Sequence, residues 1–167
     1  MWDKFKKILG YIWASPVTFV GLTYSGLFRL AGWYKWIGRK EDALAFRVNQ
    51  DAPTWLTKLW KKWSGHAVGN VIVLNVDPDS KPTVLQHELV HVRQCMRLGI
   101  FQPIIYGISY LGIKFGCESS DPYFSNPFEI DARRSVGQVV DVEGVLKRLK
   151  DDSIRSSSDD KNQGDNS

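Results

Sequence analysis

Residues 8–28, between Lys7 and Arg29, carry no charge. This 21-residue run is about long enough to span a bilayer. Lys4, Lys6 and Lys7 precede it, and Arg29, Lys35, Arg39 and Lys40 follow. Gly10, Pro16, Gly21 and Gly26 weaken a single straight helix, so a bent, re-entrant or in-plane anchor answers to the pattern as well as a full span. A cleaved secretory signal shares the basic start and apolar middle, but no small-residue cleavage site ends the run. An N-terminal helix that is simply core remains the plain alternative.

Downstream the periodicity changes. Leu44, Phe46 and Val48 alternate as in a short half-buried strand, and Asp51 to Pro53 break it. In residues 54–63, Trp55, Leu56, Leu59, Trp60 and Trp63 recur at helical spacing among Lys58, Lys61 and Lys62, predicting an amphipathic helix that covers the core or lies on lipid. Val71 to Leu74, between Gly69 and the turn Asp77-Pro78-Asp79, reads as a strand. With one edge unpaired, that strand can receive an extended peptide. Pro82, an unbroken stretch from Thr83 to Arg97, and Gly99 predict a helix.

Residues 98–113 form a second uncharged run of 16 residues, interrupted by Pro103 and short for a span. A polar turn, a helix opening at Asn126-Pro127 and amphipathic sequence to Lys150 follow. Residues 151–167, rich in Ser, Asp, Asn and Gly, read as a disordered acidic tail. No internal repeat is visible.

The net charge of +4 conceals an asymmetry: residues 1–64 hold 11 Lys/Arg against 4 Asp/Glu, and residues 151–167 hold 2 against 5. All seven Trp lie in the basic part, a composition suited to lipid headgroups. The cations flank apolar runs instead of forming a polar stripe, which argues against a nucleic-acid partner. Two cysteines, Cys95 and Cys117, are too few for a disulfide framework. The larger part of the chain is expected on the cytoplasmic side of a membrane.

Within the helix after Pro82 stands His87-Glu88-Leu89-Val90-His91. Imidazoles four residues apart share a helix face and can reach one metal ion, and the glutamate between them can take a proton from a water there. Catalytic zinc usually has three protein ligands and an open position. The third candidates are His66 or a carboxylate, foremost Glu129 on the later helix. Asn126 as N-cap with Glu129 three residues on is equally a capping-box arrangement.

This motif with its later glutamate resembles the gluzincin group of zinc metallopeptidases. Gly65-His66, Val71-Ile72, His87 to Gln94, Gly99, Pro103, Tyr106, Pro122-Tyr123, Asn126-Pro127-Phe128-Glu129 and Ala132-Arg133 are similar to small bacterial and phage minimal gluzincins with a hydrophobic N-terminus. The resemblance covers roughly residues 10–135. It implies zinc on His87, His91 and Glu129, with Glu88 as general base. Zinc chemistry calls for a further donor to the oxyanion, for which His66, within the resemblance, and Tyr123 are the candidates. Many gluzincins have Asp four residues after the ligand glutamate to orient a ligand histidine. Here Arg133 occupies that position, leaving the role to Asp131 or another carboxylate.

The expected protein is α+β: a small zincin-like domain at residues 41–150, its motif helix and third-ligand helix beside a short sheet. A membrane-anchoring segment (1–40) precedes it and the tail (151–167) follows. The expected function is membrane-associated, zinc-dependent hydrolysis of peptide bonds in a protein or peptide. The alternatives are a non-catalytic membrane interaction protein that keeps the fold, and a zinc hydrolase of a non-peptide amide or ester. Sharing one ion between His91 and Glu129 also forbids residues 98–113 from crossing a bilayer, because sixteen residues are too few to cross and return.

Overall fold

The computed structural model describes residues 2–60, 63–117, 120–148 and 150–151. The expected acidic tail therefore lies outside the described residues from position 152 onward. The protein is α+β with a small mixed sheet, and the chain divides into two compact units, residues 1–103 and 104–167.

The first unit opens with helix α1 (Trp2–Leu30), followed by strands β1 (Tyr34–Lys40) and β2 (Ala43–Val48), helix α2 (Thr54–Trp60), strands β3 (Gly65–Val68) and β4 (Val71–Leu74), and helix α3 (Pro82–Leu98). Strand order is β1-β2-β4-β3; β2 and β4 are parallel and the outer pairs antiparallel. Because β4 has a neighbour on each side, it offers no edge to a peptide; the sheet ends at β3 instead. This corrects the sequence expectation, and the reason is visible in the side chains. All four residues of β4 are buried, as in strands covered on both faces, where alternation gives way to a continuous apolar run.

Both faces of β4 are used. Val71 and Val73 join Tyr34, Phe46 and Leu56 in one cluster, covered by Tyr24 and Phe28 of α1 and Trp60 of α2. Ile72 and Leu74 pack on the other side against Leu89 and Val92 of α3. The amphipathic α2 thus covers core through Leu56 and Trp60, with Trp55 exposed on its outer side.

The N-terminal run forms one helix despite its Gly and Pro residues. Pro16 cannot donate to the carbonyl of Ile12, and Ser15 Oγ supplies that bond at 2.7 Å. Gly10 and Gly21 mark close approach, not breaks: a Cβ at Gly21 would lie 2.5 Å from Val68 O, and one at Gly10 would lie 3.1 Å from the Met96 side chain. Residues 34–40, placed with the anchor in the sequence reading, form the edge strand β1. No single helix among the described residues is long and apolar enough to cross a membrane.

The second unit holds most of helix α4 (Phe101–Gly116), helix α5 (Pro127–Ser135) and a helical stretch over residues 142–148. Most of the second uncharged run lies in α4, which leaves Ile104, Ile105, Ile108, Leu111 and Phe115 exposed.

Candidate metal centre

Helix α3 carries the two histidines. Pro82 lies in its first turn and Gly99 ends it with φ 58, donating its amide N–H to Cys95 O at 2.6 Å. Between these signals nothing interrupts the helix, and His87 and His91 fall one turn apart on its buried face. Their rings meet edge to face at 4.9 Å, and their Nε2 atoms are 3.2 Å apart. Two imidazole nitrogens bound to one tetrahedral zinc at about 2.0–2.1 Å would be separated by roughly 3.3 Å. Gln94, one turn further on, places Oε1 2.8 Å from His91 Nδ1. A neutral imidazole with its proton on Nδ1 donates to that oxygen and leaves the Nε2 lone pair for a metal.

Helix α5 carries the carboxylate. Asn126 caps it, its Oδ1 accepting from Phe128 N at 3.0 Å, and Pro127 suits the first turn. The Asn126 amide N–H donates to Tyr123 O at 3.3 Å, so the returning half of a capping box is not what Glu129 does. Glu129 Oε1 accepts a hydrogen bond from Tyr106 at 3.0 Å, and Asn126 Nδ2 donates to the Tyr106 carbonyl at 3.2 Å. Cap, tyrosine and glutamate thus form one connected set.

His87, His91 and Glu129 make a buried group that could hold a metal ion, one ligand atom from each lying within 4.8 Å of the others. Two imidazole nitrogens and one carboxylate oxygen are a donor set suited to a three-ligand site, and the nitrogen spacing fits one ion.

Glu88 is buried on α3 between the two histidines in sequence. Its Oε1 and Cγ lie 3.0 and 3.1 Å from where a Cβ at Gly65 would stand, so β3 passes close to the carboxylate. The next residue, His66, lies outside the group of His87, His91 and Glu129. Its ring stacks on Trp60 at 4.2 Å, and its Nε2 is 2.8 Å from the Tyr24 hydroxyl. Burial lowers its pKa to about 4, keeping the ring neutral, and burial raises Tyr24 to about 12, with Glu88 adding to the rise. Tyr123 packs against Phe124 in the loop before α5. Arg133 lies 4.0 Å from the Phe124 ring and 5.4 Å from that of Tyr123, a cation–π arrangement.

Three residues of this region went unassigned in the sequence reading. Gln94 carried a signal, three positions after His91 on the same helix. The Tyr106 contact depends on a turn between two helices, and the Tyr24 contact joins residues 42 positions apart, so neither has a local signature. The chain matches no family model, no curated protein and no solved structure.

Proposed function

We propose that the protein is a membrane-associated, zinc-dependent metallopeptidase. The buried group of His87, His91 and Glu129 carries this reading, with Glu88 on the same helix as the first pair. Zinc, when bound there, supplies Lewis acidity that acidifies water and polarises a carbonyl. The Glu88 carboxylate accepts a proton from the attacking water and delivers it to the leaving nitrogen. Gln94 and Tyr106 fix the ligands His91 and Glu129 in orientation.

An extended peptide adding to the β3 edge by main-chain hydrogen bonds would run beside Gly65, where the sheet comes close to Glu88. His66 and Tyr123 are the donors proposed for the developing oxyanion. The exposed apolar side chains of α1 support the membrane setting, with the larger part of the chain on the cytoplasmic side.

The test pairs metal content with turnover. Wild-type protein and Glu88→Gln are expected to bind zinc equally, and only wild type should cleave a panel of unfolded proteins. A protein that binds zinc and cleaves only lipid or cell-wall amides belongs to the non-peptide alternative. Absence of zinc binding at micromolar metal removes the enzyme reading and leaves an interaction protein.

A further inference from the structure

We propose that α1 lies in the plane of the membrane surface, with its outward face sunk into one leaflet of anionic lipid, instead of crossing the bilayer. The inference takes membrane association from the proposed function and adds orientation; it does not depend on metal or catalysis.

The inward face of α1 is occupied along its length. Gly10, Ala14, Val17, Gly21 and Ser25, spaced as one helical stripe, are all buried. Near the N-terminal end Lys7 pairs with Asp42, whose Oδ1 also accepts from Tyr11 at 2.8 Å. In the middle Thr18 Oγ1 donates to Asn70 Oδ1 at 3.0 Å. Near the C-terminal end Tyr24 meets His66, and Phe28 packs edge to face on Tyr34 at 5.2 Å. A helix bound at both ends to a sheet bearing Arg39, Asp42 and Arg47 cannot be threaded through hydrocarbon without taking those charges along.

The outward face is the opposite of what water favours. A surface helix normally turns charged residues away from its core, yet Ile8, Ile12, Phe19, Val20 and Leu27 are each more than half exposed. Between Lys7 and Arg29 the face bears no charge. Its exposed hydroxyls are satisfied within the helix: Ser15 donates to Ile12 O at 2.7 Å and Thr23 to Phe19 O at 2.8 Å. Such back-bonding is what hydrocarbon requires of a polar side chain. Trp13 and Phe101 continue the face, their rings 6.1 Å apart.

Charge selects the occupant. Lys4 and Lys6 stand at one end of the apolar face and Arg29 at the other, which suits anionic headgroups around an apolar strip. A second copy apposed through the same face would bring these cations together. A groove of about 380 Å³ runs along the flank of α1, with Phe19, Leu22 and Leu44 in its apolar wall and Arg39 and Asp42 at its polar side. Its apolar wall extends the lipid-facing surface.

The test uses the full chain with Cys117→Ser, leaving Cys95 buried, and a nitroxide attached in turn at Ile8→Cys, Ile12→Cys, Phe19→Cys and Leu27→Cys. Oxygen and nickel-chelate accessibilities then give label depth on vesicles of phosphatidylglycerol with phosphatidylcholine. The expected result is one shared depth for all four sites, within about 10 Å of the headgroups. Partitioning onto pure phosphatidylcholine should be at least about tenfold weaker. Phe19→Asp, at an exposed site, should keep the wild-type circular dichroism and lose vesicle binding. A profile deepest at residue 19 and shallow at 8 and 27 would mean a spanning helix and would overturn the orientation alone. Labels left in water would overturn membrane association with it. Labels shielded without lipid, in a protein of doubled mass by light scattering, would give the face to a second copy and overturn the proposal. Equal binding to neutral and anionic vesicles would overturn its electrostatic part.

Discussion

Gln94 holds His91 from within the same helix, its Oε1 2.8 Å from Nδ1 one turn along α3. The bond sets the tautomer that presents Nε2 toward His87. Gln94→Ala should therefore lower zinc affinity by about 10–100-fold, the usual cost of losing a partner that orients a metal ligand. Competitive titration against a chelator reads it. Gln94→Glu, which restores an acceptor, should recover most of the loss, whereas an effect of general misfolding would not be rescued.

Glu129 and Asp131 lie on the same helix, but Glu129 is buried and Asp131 is exposed. With Glu129 as third ligand, Glu129→Ala should weaken zinc binding by at least about 100-fold, more than loss of an outer partner costs. Asp131→Ala should change it less than about threefold, since it removes no ligand. Equal affinities for the two variants, measured in the same titration, would take Glu129 out of the site.

The parts of this architecture set by local pattern were legible in the chain. Pro82, the unbroken helical stretch and Gly99 bound α3; the run Val71 to Leu74 is β4; Asn126-Pro127 opens α5, with Glu129 facing inward. The parts set by distant contact were not. Gly10 and Gly21 read as breakers because a glycine's sequence context is the same whether it bends a helix or admits a neighbour, and here each admits one. Strand β3 has only four residues, too few to show a period, and with β3 hidden the pattern leaves β4 looking like an edge. The stripe holding Trp60 suits core or lipid alike, and what decides for core, the His66 ring stacked on Trp60, is brought there by the pairing of β3 with β4.

Gly65 gives the sheet its approach to Glu88. A Cβ there would stand 3.0 Å from both Glu88 Oε1 and Leu74 Cδ2, tighter than ordinary van der Waals contact. Leu74 is fully buried and has little room to yield, so Gly65→Ala should push the carboxylate aside. The expected result is zinc binding within about threefold of wild type, because no ligand is altered, with turnover reduced by about tenfold or more through the misplaced base. A parallel loss of zinc would show that the substitution disturbs α3 as a whole. Unchanged turnover would separate Glu88 from proton transfer.

His66 makes stability depend on pH. Burial lowers its pKa from 6.5 to about 4, so between those values the unfolded chain binds a proton that the folded chain refuses. Stability then rises with pH through this window. It is fully present above pH 6.5 and is lost progressively as the pH falls toward 4, by at most about 3 kcal/mol. Asp42 acts in a more acidic range. Partial burial opposes its ionisation, but Lys7 and Tyr11 hold its pKa below 3.8, so its contribution is lost only as pH falls through that lower value. Urea unfolding at pH 7, 5.5 and 4.5, with chelator present to keep ligand protonation from releasing metal, should show the midpoint falling at each step. His66→Gln keeps a hydrogen-bonding side chain beside Tyr24 without a titrating ring and should flatten the curve over the same interval. Curves of equal slope for the two proteins would mean that the neutral imidazole between Trp60 and Tyr24 does not govern the acid limb.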